Sequence, residues 1–324
     1  MNRSAFRTII LFVIMITMLI FTEHTDQGVR YGLLLWYQSI VPALFPFIVI
    51  STMIISESGI SLIMKPLHKI IRPFLPLSEN GCFALLAGLI CGYPMGAKTC
   101  AEFLHTGRMD VHEFKFLMAI CNFPSPMFLL GFVYPFFREQ ITLTQFVCSL
   151  YIPLIPLAMA AKMHYFGLKN KHSYQYFETP DTDLHTFSID HAILGAAETL
   201  CKIGGYLVFF SVLIQMIKQA FMIPSALRLF VIGIIEMTTA VRELHHALPF
   251  PLSYIGSVSA ISFGGISALF QVKTVIQENK YSDPGSKNEH EKKAGLSIRP
   301  YFLWKLAHTG IAALCAWGIC NYAS

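Results

Sequence analysis

Ionisable side chains lie inside two of the apolar segments of this sequence. Lys98 follows the run Gly-Tyr-Pro-Met-Gly-Ala, and Glu102 lies one helical turn beyond it. Glu236 lies inside a second apolar stretch, and Arg242 follows it after five residues. A charge at the centre of a bilayer costs about 2.5–3.5 kcal/mol on insertion scales. Such groups are therefore expected to pair with each other, to face a cavity or to reach an interface.

Two interpretations of these charges are open. In the functional one, Lys98 and Arg242 bind an anion from two sides. Glu236 then holds a partner cation, orients a neighbouring group or carries a coupled proton. In the alternative, Lys98, Glu102, Arg242 and Glu243 are residues at helix ends whose side chains extend to the interface. Glu236 is the best placed for a function because it lies within the apolar stretch itself.

Polar and helix-breaking residues accompany the points where the apolar segments are interrupted. The polar ones can hydrogen-bond a solute or cap broken helices. The predicted solute-binding polar residues are Asn122, Ser125, Ser262, Ser267 and Gln271. The predicted helix-breaking residues are Gly92, Pro94, Gly96, Pro124, Pro126, Gly264 and Gly265. Backbone at such breaks is tolerated in a membrane only inside protein or beside a water-filled cavity.

No enzyme motif is recognisable: the sequence has no G-x-S-x-G turn, no Walker loop and no H-E-x-x-H. Cys82, Cys91 and Cys100 recur every nine residues, which suits packed thiols better than a metal site. His245 and His246 are interpreted as loop residues. The chain also lacks the concentrated basic run of a nucleic-acid-binding protein. We therefore predict no catalytic site, no metal, no cofactor and no nucleic-acid partner.

The composition indicates which solvent surrounds the segments that position these residues. The 324 residues are 54% hydrophobic and 13% charged, and the mean hydropathy is +0.55. A soluble domain carries about a quarter charged residues. Because a spanning helix needs about 20 residues, we predict an all-α polytopic membrane protein with about seven to nine spanning or half-spanning helices.

The N-terminal segments are predicted from hydropathy and charge. Thr8–Phe21 is expected to be an uncleaved first helix with a cytoplasmic N-terminus, and Glu23–Arg30 a turn. Two prolines in the apolar stretch Tyr31–Ile55 predict a kink. Ser61–Pro76 has the pattern of a basic amphipathic helix on the cytoplasmic surface, with an ordinary loop as the alternative.

The pattern of interruptions divides the chain into two similar halves. We predict an N-terminal helix and turn (1–30), a first half (31–161), a hydrophilic connector (162–190), a second half (191–276) and a charged loop with a C-terminal helix (277–324). Paired interrupted segments are typical of secondary transporters that bind their solute near the midplane. The ends of broken helices attract anions and cations through unpaired N–H and C=O groups.

Three stretches resemble the YlbJ family of sporulation integral membrane proteins. They are Gly88-Leu-Ile-Cys-Gly-Tyr-Pro-Met-Gly-Ala-Lys98, the segment Asn122–Pro126, and Phe263-Gly-Gly-Ile-Ser267 with Gln271. The resemblance covers roughly residues 30–275 and implies two nucleoside-recognition (Gate) domains, distantly similar to the gating halves of concentrative nucleoside transporters. The sequence departs from that family at Ala240, where a glycine is expected.

The resemblance implies a role in endospore formation, in the outer forespore membrane, where the family is linked to moving dipicolinic acid from the mother cell toward the forespore. The resemblance also links this step to late maturation of the spore cortex and core. Dipicolinate is a small dianion that Lys98, Arg242 and helix N-termini would suit. The expected partners are this solute, the bilayer, a coupling proton or cation, and further copies of the chain. The alternatives are a nucleoside transporter and a non-transporting scaffold or sensor of spore assembly.

Overall fold

Helices make up all the regular secondary structure in the described part of the chain. The computed structural model describes residues 3–56, 60–167, 188–219, 224–278 and 298–323. The helices are α1 (Arg3–Ile20), α2 (Thr22–Leu35), α3 (Val41–Ser56), α4 (Ile60–Ile71), α5 (Glu79–Cys91), α6 (Met95–His105), α7 (Val111–Ile120), α8 (Pro126–Phe128), α9 (Leu143–Tyr151), α10 (Leu154–Phe166), α11 (Ile189–Gln219), α12 (Ser225–Ile235), α13 (Met237–Ala247), α14 (Leu252–Phe263), α15 (Gly265–Glu278) and α16 (Ile298–Ala323). A π-helical turn (Leu129–Val133) and a 3-10 turn (Tyr134–Phe136) extend α8.

Long apolar helices identify a membrane protein. Within the described residues, four stretches are long and apolar enough to cross a bilayer: Leu143–Phe166, Ile189–Gln219, Leu252–Ile276 and Ile298–Asn321. Helices α1 and α2 pass the same test together, with a 99° bend between them, and make a fifth stretch if they form one span. An all-helical membrane protein is thereby confirmed, whereas the count of seven to nine segments stays a prediction.

The predicted turn at Glu23–Arg30 is wrong, because these residues belong to α2. Asp26 and Arg30 lie one turn apart on this helix and form an ion pair of 2.6 Å. Gly28 and Gly32 let α2 approach α11 closely: an added Cβ on either would lie 2.7 Å from a Cα atom of α11. Packing against α11 therefore stabilises a helix that the local sequence does not favour.

The two prolines of Tyr31–Ile55 differ in their effect on the helix, and the kink stays a prediction. A π-helical turn, Trp36–Ile40, replaces the regular hydrogen bonds directly before Pro42, and α3 continues through Pro46. The predicted amphipathic helix at Ser61–Pro76 corresponds to α4, which ends at Ile71.

Helices α5 and α6 form a hairpin. They pack against each other and are joined at a break, Gly92–Pro94. At the open end of the hairpin, Asn80 Nδ2 donates to the carbonyl of Arg108 at 3.0 Å. Both helices therefore lie on the same side of the break.

Helices α12 and α13 form a second hairpin, whose break is Glu236. Its open end lies beside the C-terminal end of α11. There Arg228 of α12 donates to the carbonyl of Lys218 at 3.4 Å, and the Lys218 ammonium pairs with Glu243 of α13 at 2.7 Å.

A broken span follows each hairpin. Helix α7 starts beside the first hairpin, where Glu113 accepts a hydrogen bond from the Ser78 N–H at 2.6 Å. The chain breaks at Cys121–Ser125 and continues through α8 to Phe137, whose ring lies 5.4 Å from His245 at the open end of the second hairpin. Helix α14 starts at that end and is followed by α15, which returns into the core around the first hairpin. The two broken spans therefore run in opposite directions.

Some predicted loop boundaries shift in the structure. Lys162 lies in α10, whereas residues 168–187 of the predicted connector lie outside the described residues. The predicted charged loop begins in α15, which continues to Glu278, and residues 279–297 lie outside the described residues. His245 and His246 are helical, in the last turn of α13, so their assignment to a loop is wrong.

Candidate functional site

The interruptions of the helices meet at one place, which we call the break junction. It consists of Gly92–Pro94, Cys121–Ser125, Glu236 and Gly264–Gly265. An added Cβ on Gly92 would lie 2.6 Å from the Ser125 nitrogen, and one on Gly264 would lie 2.8 Å from the Tyr93 hydroxyl oxygen. Each of these glycines has a positive φ, which a side chain would strain. The predicted break residues Gly92, Pro94, Pro124, Gly264 and Gly265 thus belong to one structural feature. The prediction is wrong for Gly96 and Pro126, which lie in the first turns of α6 and α8.

Tyr93 links the first hairpin to the second half of the junction. Its hydroxyl donates to the carbonyl of Ile261 at 3.2 Å and lies 3.2 Å from the sulfur of Met237. The Tyr93 side chain is buried. It therefore holds the first break against the start of α13 and the end of α14.

Asn122 caps a helix from a neighbouring segment. Its side-chain oxygen accepts a hydrogen bond from the Ala97 N–H at 3.0 Å, which satisfies a donor in the first turn of α6. Ser125 acts locally instead, because its hydroxyl accepts from the Phe128 N–H at 3.2 Å and caps α8. Both predicted polar residues lie at the junction.

Glu236 caps α13 with its own side chain. The carboxylate accepts from the N–H groups of Thr238 and Thr239 at 2.9 and 2.8 Å, and also from the Thr238 hydroxyl. Only 2% of Glu236 is exposed. A negative charge at a helix N-terminus is favourable. Of the predicted roles for Glu236, the geometry supports the orientation of neighbouring groups most directly, because both oxygens have partners.

The remaining predicted polar residues lie on α14 and α15. Ser267 accepts a hydrogen bond from the Gln271 amide at 3.3 Å, one turn away on the same helix. Ser262 is fully buried, and its hydroxyl has no hydrogen-bond partner among the described residues. A buried hydroxyl without a partner is costly, and Ser262 is the one of these three whose side chain makes no hydrogen bond within the described residues.

Lys305 is a junction residue that the sequence did not reveal. It lies on α16 and is only 1% exposed. Its ammonium donates to the backbone carbonyl of Asn122 at 3.1 Å and lies 5.5 Å from the centre of the Tyr93 ring. In the described residues, no carboxylate lies within salt-bridge distance of it.

The spacing of Tyr301, Lys305 and His308 is the signal that could have found this residue. At this spacing the three side chains share one face of a helix. All three are buried, and the His308 ring lies 5.5 Å from that of Phe123, which belongs to the junction. A polar face on an otherwise apolar helix indicates a protein-facing surface.

Lys98 of α6 and Arg242 of α13 lie beside different parts of α11. The Lys98 ammonium donates to the Thr199 hydroxyl at 2.9 Å, whereas Arg242 lines a cavity with Ser211. Thr199 and Ser211 are twelve residues apart, which corresponds to about 18 Å along a helix. The structure therefore does not bring Lys98 and Arg242 together around one small anion, as the sequence had predicted.

The cavity beside Arg242 has a volume of about 320 Å³. Its residues are Tyr31, Ser211, Ile214, Gln215, Lys218, Thr239, Arg242, Glu243 and His246. Lys218 and Glu243, which are 30% and 28% exposed, pair with each other, whereas Ser211 and Thr239 are buried. The cavity therefore extends inward from half-exposed residues toward the first turn of α13, which Glu236 caps.

Arg242 supplies a positive charge to this cavity in addition to Lys218, whose ammonium pairs with Glu243. Arg242 is exposed, and its guanidinium lies 6.0 Å from the centre of the Tyr31 ring. Among the described residues it has no salt bridge. The Ser211 hydroxyl has no hydrogen-bond partner in the described part of the chain. A guanidinium and an unused hydroxyl in one cavity are suited to a carboxylate.

Comparison with known proteins shows that the chain is similar in sequence to a sporulation protein. It is similar to the sporulation integral membrane protein YlbJ of Bacillus subtilis (strain 168), with 24% identity over 234 residues. The match covers 65% of this chain and 57% of that protein, so the chain spans little more than half of its relative's length. No protein-family model and no solved structure matches the chain. The similarity supports the YlbJ-like resemblance and a membrane role in sporulation.

Proposed function

We propose that this chain is a secondary transporter that moves a small organic dianion, dipicolinate, from the mother cell across the outer forespore membrane. The relative's name supports a membrane role in sporulation. To this role we add the identity of the solute, the direction of its movement and the particular membrane.

The order of the helices supports transport. A hairpin and a broken span occur in α5–α8, and again in α12–α15 with the broken span reversed in direction. We take these as two inverted repeats, each a Gate-like unit. The hairpins are then half-spanning segments beside the longer helices. Inverted repeats with broken helices are typical of carriers that bind solute between the repeats and expose it to each side in turn.

The cavity beside Arg242 is the main observation in favour of an anionic solute. Ligand cavities range from about 300 to 1,000 Å³, and this one lies at the small end, which favours a compact solute. A guanidinium binds a carboxylate through two parallel hydrogen bonds, whereas a lysine provides a single point charge. One carboxylate of dipicolinate would face Arg242, and the Ser211 hydroxyl would donate to it.

Uptake into proteoliposomes tests this proposal. Purified chain should take up labelled dipicolinate, and Arg242→Ala should reduce uptake about tenfold or more, since a charge-assisted hydrogen bond contributes about 1.5–3 kcal/mol. Arg242→Lys should recover only part of the loss. Arg228→Ala is the matched control, because Arg228 lies on the neighbouring helix and does not line the cavity.

The same assay distinguishes the alternatives. An excess of unlabelled nucleoside should leave dipicolinate uptake unchanged; competition by nucleosides would favour a nucleoside carrier. Absence of dipicolinate uptake would reject the proposed anion site. The site would also be rejected if Arg242→Ala left uptake intact while Arg228→Ala removed it. A chain that moves neither solute would favour the scaffold or sensor role.

A further inference from the structure

We propose that Lys305 is a tethered cation. Its ammonium occupies the position at the break junction where a carrier with broken helices would hold a free coupling cation, so solute movement needs no bound Na⁺. The proposal deepens the transport function stated above and rests on it for its meaning. The contacts of Lys305 are independent of that function.

The acceptor of Lys305 is a typical cation ligand. Helix α7 ends at Ile120, and the carbonyl of Asn122 lies just beyond that end. The C-terminal end of a helix carries partial negative charge and carbonyls without partners in the helix. In carriers with broken helices, such carbonyls coordinate the coupling ion. Here the ammonium of Lys305 takes that place, at 3.1 Å from the oxygen.

The second contact of Lys305 is also one that suits a cation. The Tyr93 ring lies 5.5 Å from the ammonium, within the range of a cation–π interaction. Tyr93 and Asn122 belong to different breaks of the junction. The charge of Lys305 therefore joins the first hairpin to the first broken span.

Burial excludes the ordinary role of a lysine in a membrane helix. Such a lysine normally extends its ammonium to the interface, but Lys305 is 1% exposed and keeps its ammonium inside the protein. The side chains that share its face of α16 are Tyr301 and His308, and neither carries a negative charge at neutral pH. A free Na⁺ at the Asn122 carbonyl would meet the ammonium at close range and be repelled.

Thermal unfolding of the 324-residue chain in detergent tests the proposal without any transport measurement. The wild-type Tm should be the same in NaCl, KCl and choline chloride at equal ionic strength, because a ligand raises Tm only if it binds the folded state. Lys305→Ala should lower the Tm, and propylammonium, which replaces the missing part of the side chain, should restore at least half of the loss. Propanol, which has nearly the same volume but no charge, should restore little.

Lys162→Ala is the matched control. Lys162 also donates to a backbone carbonyl, that of Phe74, at 3.1 Å, but it lies at the half-exposed end of α10, away from the junction. This variant should show no response to propylammonium. If Lys305→Ala does not fold, the salt comparison on the wild type still decides, and Lys305→Arg, which keeps the charge, should remain folded.

Two outcomes would overturn the proposal. In the first, the Tm of the wild type rises specifically with Na⁺. In the second, the Tm of Lys305→Ala falls and is restored by propanol as well as by propylammonium. Uptake measurements separate this failure from failure of the proposed function. A wild type that carries dipicolinate only when Na⁺ is present contradicts the tethered cation alone. A wild type that carries no solute contradicts the transport proposal and leaves the Tm results standing.

Discussion

Replacement of Gly92 tests how tightly the break junction is packed. Gly92 has φ +81° and ψ −170°, a conformation that is essentially restricted to glycine. An alanine there would hold its Cβ 2.6 Å from the Ser125 nitrogen. Backbone strain costs about 1–3 kcal/mol and overpacking a similar amount, so Gly92→Ala should lower the free energy of unfolding by about 2–6 kcal/mol. The Tm in detergent should then fall by roughly 5 °C or more.

Two other glycines separate the contributions of strain and contact. Gly107 also has a positive φ, +73°, but a Cβ added there would have no neighbour within 4 Å among the described residues, so Gly107→Ala measures strain alone. Gly96 is helical, and a Cβ there would lie 2.5 Å from the carbonyl oxygen of Cys121, so Gly96→Ala measures contact alone. Gly92→Ala should be more destabilising than either. If it is no worse than Gly107→Ala, the first and second breaks do not touch as described.

Other side chains make smaller contributions that the same unfolding assay can measure. Asn122→Ala leaves the Ala97 N–H without an acceptor and should cost about 1–3 kcal/mol. Glu236→Gln removes the charge from the start of α13 and replaces one accepting oxygen with an NH2 group that cannot accept from the backbone, which should cost about 1–3 kcal/mol. Tyr254→Phe removes a buried hydrogen bond of 2.7 Å to Ser149 and should cost about 1 kcal/mol. A Tm equal to that of the wild type in any of these variants would contradict the corresponding contact.

The breaks could be located from the sequence because glycine and proline act locally. The predicted interruption at Gly92–Lys98 corresponds to a break at Gly92–Pro94, so only its end differs. The α2 helix could not be predicted in the same way. Residues 23–30 are polar and have the local pattern of a turn, and they form a helix because Gly28 and Gly32 pack directly on the backbone of α11.

The site was predicted less completely than the breaks. Asn122 and Glu236 were recognised as polar groups in unusual places, but their partners were not. The N–H that Asn122 caps lies twenty-five residues earlier in the chain, and only the approach of two breaks brings it near. Lys305 was missed because one lysine near the start of an apolar helix suggests an interfacial side chain. Its burial depends on the position of α16 against α7 and α14.

The direction of the hairpins changes how the two predicted cations can act. Cys91 and Met95, which flank the first break, belong to one buried apolar cluster with Ala196, Leu200, Ile203 and Leu207 of α11. Lys98 of α6 contacts α11 at Thr199, whereas Arg242 of α13 shares a cavity with Ser211, so the two cations lie beside different levels of α11. A small dianion cannot bridge about 18 Å. In a carrier of this form, the solute would therefore contact the two cations one after the other.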